Sequence, residues 1–212
     1  MKIAVFGGSF DPPHKGHVII ADYVVSCFVN LLIFVPTYYP PHKNSVSFAP
    51  FDSRLKMIRL ITEGKKSMIV SDIERHLNKK PSYIFYTMRA LQERYINDEL
   101  SLLIGSDSLL NLHTWYNAEE IVKNWNIITY RRPGYEVDLE ELKKLWRREE
   151  FEKIAKGIIL NSPLSNLSSS QIRYNIAYEE NYEGLPDPVI QYIKSKKLYV
   201  KKEVKHAEKK ES

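Results

Sequence analysis

The sequence predicts an α/β protein built on a doubly wound, mostly parallel β-sheet, with helices at its carboxyl-terminal end. Short apolar runs alternate along the chain with longer runs of helical periodicity. Several of the short runs lack polar alternation, which is typical of strands buried on both faces of a parallel sheet. A glycine-rich turn follows the first of them, and doubly wound sheets bind ligands beyond the carboxyl ends of their strands.

The predicted strands are the short runs rich in Ile, Val, Leu and Phe. They cover residues 2–6, 31–35, 67–70, 100–104, 126–130 and 157–160. Longer amphipathic runs between them predict helices over residues 17–28, 52–62, 82–95 and 138–155. Ser82 and Asp138 stand at the beginnings of two of these runs, where N-cap residues are preferred.

The region after the last predicted strand is helical in pattern. Residues 168–171 (Ser-Ser-Ser-Gln) form a capping-box arrangement that opens a helix through Ala177. Pro186 opens a second helix over residues 187–195. We therefore expect one domain over residues 1–200, closed by two helices.

The composition indicates a globular protein of the cytoplasm. The chain has 212 residues, 43% of them hydrophobic, and lacks the run of about 20 apolar residues that a membrane span needs. Its single cysteine, Cys27, falls in an apolar helical pattern and is expected to pack rather than to react. We expect neither a membrane anchor nor a secretory signal.

The net charge of +5 is concentrated at the carboxyl-terminal end. Residues 194–212 hold eight lysines and three glutamates, and the remainder holds 23 basic and 23 acidic residues. The basic charge therefore belongs to the end of the chain, and we expect residues 201–212 to form a solvated, flexible tail. A nucleic-acid partner is not expected on this ground, because the rest of the chain is neutral overall.

The turn after the first strand carries the most chemistry. Gly7 and Gly8 allow a tight turn and close approach to a ligand. His14 and His17 are three residues apart at the start of the next helix, with Gly16 between them. A helix N-terminus adds free N–H groups and a positive dipole end, so the segment predicts a polyphosphate site.

Two alternatives for the histidines remain open at this point. The pair could ligate a metal, which would need a third ligand, and His42 is the only obvious candidate. The histidines could also be ordinary structural residues. The segment is neither a Gly-x-Gly-x-x-Gly fingerprint nor a P-loop, since the required glycine spacing and Gly-Lys-Ser/Thr ending are absent.

The same segment resembles a known signature. It has the form Gly8-x-Phe10-Asp11-Pro12-x-His14-x-Gly16-His17 and is similar to that of the HxGH nucleotidylyltransferases. The resemblance implies a Rossmann-like nucleotidylyltransferase fold, whose first strand-to-helix turn binds a nucleoside triphosphate.

Later segments narrow the resemblance. In order and spacing they look like the bacterial nicotinate-nucleotide adenylyltransferases from Met1 to about Tyr199. They are residues 36–43, 53–57, 81–87, 104–107 with Trp115, 167–173 and 185–199. This resemblance implies transfer of AMP from ATP to nicotinate mononucleotide, giving nicotinate adenine dinucleotide and pyrophosphate in NAD biosynthesis.

The resemblance also implies roles for particular residues. Catalytic roles fall to His14, His17, Lys43 and Arg173. The predicted ATP-binding residues are Gly8, Ser9, Phe10, His14, Gly16, His17, Gly105, Asp107, Ser169, Ser170 and Arg173. The predicted acceptor-binding residues are Lys43, Arg54, Tyr83, Ile84, Thr87, Asp107 and Trp115. Mg²⁺ is expected with ATP, held mainly by phosphate and water rather than by the protein.

Most of these residues also have a structural alternative. Trp115 could be core packing, Asp107 a turn cap and Arg54 a surface ion pair. The serines at 168–170 could serve as a helix cap and nothing more.

The chain departs from the family pattern at two positions. The family commonly has Ser-Tyr-Thr-x-Asp-Thr where this chain has Ile84 and Tyr86 in place of the threonine and the aspartate. A sister enzyme that uses nicotinamide mononucleotide, phosphopantetheine or a cytidylyl reaction therefore stays open. So do a non-catalytic nucleotide-binding protein and the formation of a homo-oligomer.

Overall fold

A computed structural model describes residues 1–40 and 48–200 of the chain. Its centre is a six-stranded parallel sheet with the order β3-β2-β1-β4-β5-β6. The strands are β1 (Lys2–Gly8), β2 (Leu31–Pro36), β3 (Met68–Val70), β4 (Glu99–Gly105), β5 (Asn126–Tyr130) and β6 (Ile158–Ile159). The doubly wound fold and all six predicted strands are confirmed.

Helices connect the strands and follow the last of them. They are α1 (Lys15–Cys27), α2 (Phe51–Thr62), α3 (Ile73–Leu77), α4 (Ile84–Arg94), α5 (Ser106–Leu109), α6 (Ala118–Asn124), α7 (Leu139–Leu145), α8 (Arg148–Lys156), α9 (Ser169–Glu179) and α10 (Asp187–Lys196), with a 3₁₀ turn at Leu112–Thr114. The order of strands reverses between β1 and β4, so this crevice is the switch point where such sheets bind ligands.

The single helix predicted over residues 138–155 is wrong, because the structure has α7 and α8 in its place. The chain leaves the helical conformation at Trp146 and Arg147. Trp146 is 8% exposed and packs into the core, and so the bend buries the tryptophan together with the apolar sides of both helices. Four short elements between 73 and 124 were not predicted, since each has too few residues for a helical period to be recognised.

Three cap predictions had different outcomes. Asp138 does cap α7, accepting hydrogen bonds from the Glu140 and Glu141 N–H groups. Ser82 does not cap α4, because its hydroxyl accepts from the Tyr39 N–H instead. Ser168 occupies the N-cap position of α9 without a side-chain capping bond, so the predicted capping box is wrong.

The two faces of the sheet bury separate cores. One face packs against α1, α2, α9 and α10, and the other against α4 to α8. Both amphipathic helices that follow the last strand are therefore part of the fold. Cys27, expected to pack, is exposed at the end of α1.

None of the helices in the described ranges has the length and apolar character that crossing a bilayer would take. Residues 201–212, the predicted tail, lie outside the described ranges.

Candidate active site

A cavity of about 400 Å³ opens at the carboxyl ends of β1, β4 and β5. One wall is the turn at the end of β1, residues 7–14, here called the β1 turn. The others are the first turn of α1, the exits of β4 and β5, and the chain from Pro163 to the first turn of α9. Most of the predicted ATP-binding residues line it. These are Gly8, Ser9, Phe10, His14, Gly16, His17, Gly105, Asp107, Ser169 and Ser170.

The β1 turn forms one wall through an aromatic side chain in an unusual conformation. Phe10 has a φ of 47°, a left-handed conformation that non-glycine residues rarely adopt. Its ring is 2% exposed and packs at 5.0 Å from the His17 ring and 5.4 Å from the Phe6 ring. A side chain at position 16 would force its neighbours to move, because a Cβ on Gly16 would collide with the Ser165 hydroxyl and lie 3.0 Å from His14 Nδ1.

The two histidines of the signature stack on each other. Their ring centroids are 3.7 Å apart with 28° between the planes. The backbone N–H of His14 donates to Nδ1 of His17 over 3.1 Å. A neutral His17 ring that accepts at Nδ1 carries its proton on Nε2, and so it can donate a hydrogen bond there.

Both histidines are held in the neutral form. Burial, helped by the nearby Arg132, lowers the pKa of His14 to about 4. Burial lowers the pKa of His17 well below its usual value, and the neighbouring His14 and Arg132 lower it further. Nδ1 of His14 is buried without a hydrogen-bond partner in the described part of the chain. The pair is therefore an uncharged, desolvated donor site at the start of α1.

The exit of β4 holds a carboxylate that is already paired. Asp107 Oδ2 accepts from Arg132 Nη1 over 2.8 Å, and the Arg132 N–H donates to the Ser106 hydroxyl over 2.9 Å. A side chain at position 105 would displace this pair, since a Cβ on Gly105 would lie 2.8 Å from Arg132 Cδ and would collide with Asp107.

Arg132 is a site residue that the sequence analysis missed. It follows β5 by two residues, so the strand-end rule would have found it had it been applied to this strand as well as to β1 and β4.

The first turn of α9 is tied to the β1 turn. The Ser169 hydroxyl donates to the Pro12 carbonyl over 2.9 Å. Arg173 Nη1 donates to the Asp11 carbonyl over 2.6 Å, and Arg173 Nη2 donates to the Ser170 hydroxyl over 3.3 Å. Ser169 and Ser170 line the cavity, whereas Arg173 lies beside it, one turn further along the helix.

The predicted acceptor residues divide into two groups, and the first lies at or near the cavity. Trp115 lines its wall. Ile84, the first residue of α4, reaches the β1 turn, because a Cβ on Gly7 would lie 3.0 Å from Ile84 Cδ1. Tyr83 stacks on Tyr116 with centroids 4.6 Å apart, and so α4 is joined to the segment after Trp115.

The second group lies behind the cavity. Arg54 is 3% exposed and is not a surface ion pair, because its guanidinium donates to three carbonyl oxygens. These belong to Ala49 at 3.2 Å, Ser9 at 2.8 Å and Thr37 at 2.8 Å. Thr87 is 1% exposed and donates to Glu74 over 3.0 Å. Arg54 supports the wall of the site at Ser9, and direct contact with the acceptor stays a prediction for both residues.

Two predicted residues fall outside the described ranges, namely Lys43 and the alternative metal ligand His42. Within residues 1–40 and 48–200, no group of three or more His, Cys, Asp or Glu side chains is arranged to hold a metal ion.

Known proteins of one family resemble this chain over most of its length. A family model described as cytidylyltransferase-like matches residues 5–175. A probable nicotinate-nucleotide adenylyltransferase of Carboxydothermus hydrogenoformans is 37% identical over 202 residues, covering 93% of this chain and 98% of that protein. The nicotinate-nucleotide adenylyltransferase of Bacillus subtilis is 31% identical over 200 residues, with the same coverage.

Solved structures support the fold. Plasmodium falciparum nicotinic acid mononucleotide adenylyltransferase complexed with NaAD matches with a TM-score of 0.72 and 20% identity, covering 93% of this chain and 97% of that chain. The same enzyme complexed with APC matches with a TM-score of 0.71. The fold, the signature at the β1 turn and the extent of the matches lead to one conclusion: the chain belongs to the nicotinate-nucleotide adenylyltransferases of the cytidylyltransferase-like family.

Proposed function

We propose that this protein joins the AMP part of ATP to nicotinate mononucleotide, forming nicotinate adenine dinucleotide and pyrophosphate for NAD biosynthesis. The observation that carries the proposal is the neutral, stacked pair His14 and His17 lining a cavity that the first turn of α9 also lines. The cavity therefore has donors from side chains and from two helix N-termini around one space, which suits a polyphosphate.

The chemical step needs positioning more than proton transfer. A phosphate oxygen of the mononucleotide attacks the α-phosphorus of ATP, a new P–O bond forms, and the bond to the β-phosphate oxygen breaks. This nucleophile is already ionised at neutral pH, so no strong general base is required. His14 and His17 would donate to the phosphate oxygens on which charge develops, and their burial makes such bonds stronger than in water.

The leaving pyrophosphate is assigned to the wall formed by the first turn of α9. Ser169 and Ser170 line the cavity at the first turn of α9, where the free N–H groups favour anions. Arg173 stands beside Ser170 and keeps guanidinium N–H groups beyond those bound to Asp11 and Ser170. Lys43 is proposed to add a further positive charge, as the family resemblance implies.

The two nucleoside ends are assigned to different strand exits. Asp107 has Oδ1 free of the Arg132 contact and could accept from ribose hydroxyls, with Gly105 allowing close approach. Trp115 offers a flat face to the cationic pyridine ring. The first N–H groups of α4, next to Ile84, could receive the nicotinate carboxylate without the family's hydroxyl.

Mg²⁺ is proposed to enter with ATP. Among the described residues that line the cavity, Asp107 supplies the one carboxylate, and it is paired with Arg132. This donor set fits an ion that is held mainly by phosphate and water. When bound, the ion would reduce the negative charge of the triphosphate. We also propose that the protein works in the cytoplasm without nucleic acid, and self-association remains a proposal to be tested by sedimentation.

Pyrophosphate release with a panel of acceptors tests the proposal. The protein is incubated with Mg²⁺-ATP and, in turn, nicotinate mononucleotide, nicotinamide mononucleotide and phosphopantetheine. We expect release with nicotinate mononucleotide at a rate well above the others. Preferred use of nicotinamide mononucleotide would move the assignment to a sister enzyme, and release with none of them would contradict catalysis.

A further inference from the structure

The phosphate end of the site is formed by His14, His17, Ser169 and Ser170. A buried carboxylate next to it has no role in the proposed reaction. Asp11 is fully buried, between the β1 turn and α1. Its Oδ1 accepts from the Ala49 N–H over 3.0 Å and from the Tyr199 hydroxyl over 2.7 Å. Its Oδ2 has no hydrogen-bond partner among the described residues but lies 3.6 Å from Arg173 Nη1. A buried charge of this kind is costly unless it is paired, so its partners decide whether Asp11 can stay ionised.

Arg173 depends on Asp11 for its position. Its Nη1 donates to the Asp11 carbonyl and faces the Asp11 carboxylate, and its guanidinium lies over the Phe48 ring, 5.2 Å from the centroid. Its side chain is 16% exposed. These contacts hold the guanidinium beside Ser170, with its remaining N–H groups available to an anion in the cavity.

Tyr199 reaches Asp11 from the far end of the chain. It follows α10, which packs against α2, and both Lys197 and Tyr199 have left-handed φ values, 49° and 63°. These two turns bring the hydroxyl inward. Burial and the charge of Asp11 raise the pKa of the Tyr199 hydroxyl above its usual value, and so it remains a donor.

The ionised state of Asp11 depends on these partners together. Burial raises the pKa of the Asp11 carboxyl, and the Tyr199 hydroxyl, the Ala49 N–H, Arg173 and Arg54 offset only part of that rise. Removing the tyrosine hydroxyl takes away a donor that favours the charged form. The carboxylate would then hold Arg173 less firmly.

We propose that Asp11 and Tyr199 are positioning residues for Arg173, and that they act together as a buried strut between the end of the fold and the phosphate end of the site. The inference rests on the proposed function, since it assigns the ATP side of that reaction to Arg173. The hydroxyl is the specific element, because a phenylalanine would fill the same space without donating to Asp11.

Tyr199→Phe tests this role by removing the hydroxyl that donates to Asp11. Tyr192→Phe is the matched control. Tyr192 lies on α10, and its substitution removes a hydroxyl that donates to Ser53 over 3.5 Å and not to Asp11. For Tyr199→Phe we expect kcat/KM for ATP to fall about tenfold, while KM for the mononucleotide stays within about twofold. Calorimetry should show weaker ATP binding by a similar factor. The control should match the unmodified protein in both measurements.

A double-mutant cycle separates positioning from general support of the fold. If Tyr199 acts through Arg173, adding Tyr199→Phe to Arg173→Ala should change neither kcat/KM nor ATP binding further. Asp11→Asn, which keeps the shape but removes the charge facing Arg173, should give the same ATP-side loss, and that loss should vanish in the same background.

Three outcomes would overturn the inference. They are an unchanged Tyr199→Phe, equal losses on the ATP and mononucleotide sides, and a Tyr199→Phe effect that persists without Arg173. Should Tyr199→Phe fail to fold, the Asp11→Asn pair decides by the same criteria. Failure of the proposed function would look different, because the unmodified protein would then release little or no pyrophosphate with nicotinate mononucleotide.

Discussion

The two histidines at the start of α1 are held as neutral side chains rather than as cations. Their stacking at 3.7 Å, their burial and the nearby Arg132 all disfavour a positive charge on either ring. The bond from the His14 N–H fixes the orientation of His17 before any ligand arrives. Such preorganised donors cost little to reorganise when charge develops on a bound phosphate.

His17→Ala should lower turnover at least about 100-fold, because it removes a donor at the reacting phosphate. The control is His76→Ala, since the side chain of His76 is 73% exposed on α3 and does not line the cavity. Pyrophosphate release at saturating substrates measures the effect. Near-normal turnover in a folded His17→Ala protein would refute the assigned role.

His14 should make stability depend on pH. Its pKa is about 4 in the folded protein against an ordinary value of 6.5, so the unfolded chain binds more protons between these pH values. The free energy of unfolding should therefore fall as pH falls from 6.5 to 4, by at most about 1.4 kcal/mol per pH unit from this group.

Urea unfolding of the original protein and of His14→Gln, measured across that pH range, isolates this contribution. The slope should be shallower in His14→Gln than in the original protein. Identical slopes in the two proteins would show that His14 titrates normally.

Among the structural elements, α2 stabilises the loops around the site through one buried side chain. Arg54 donates to carbonyls of the β1 turn, of the residue after β2 and of Ala49, which precedes α2. Three separate stretches of chain thereby meet at one guanidinium. The residue predicted as an acceptor ligand is thus placed to hold the backbone that forms the walls.

Arg54→Met should reduce the free energy of unfolding by about 3–5 kcal/mol, because it leaves buried carbonyls unpaired. Arg59→Met on the same helix is the matched control, since Arg59 is exposed, and a change within about 0.5 kcal/mol is expected there. Chemical unfolding measures both. A loss for Arg54→Met no larger than that of the control would contradict the structural role.

Features that depend on a short stretch of sequence could be predicted, whereas features that depend on contacts between distant residues could not. The strands and the His14–His17 turn were predictable, since periodicity and a short motif contain their whole pattern. The break at Trp146 was not, because it depends on tertiary burial of one indole. The same holds for the Arg132 pair with Asp107 and for Tyr199 with Asp11, which join residues 25 and 188 positions apart.

For the whole molecule, the boundary between fold and tail can be placed by truncation. Tyr199 contacts Asp11, and the residues after 200 lie outside the described ranges. Deleting residues 201–212 should leave kcat/KM for ATP within about twofold, because the buried contacts of the C-terminal segment are kept.

Deleting residues 199–212 should lower kcat/KM for ATP as Tyr199→Phe does. Steady-state assays of the two truncated proteins measure this. A large loss already in the shorter deletion would show that the tail takes part in the reaction.

The long-range hydrogen bonds at the phosphate end also affect how the fold forms during synthesis. The Ser169 hydroxyl reaches back 157 residues to Pro12, and Tyr199 reaches back 188 residues to Asp11. During synthesis, β1 can pair with β2 early, yet its other edge waits for β4 at Glu99–Gly105. The nucleotide pocket is complete only once α9 has been made. A ligand that binds only the native state stabilises it by mass action, and so cellular ATP would favour finished chains over partly made ones.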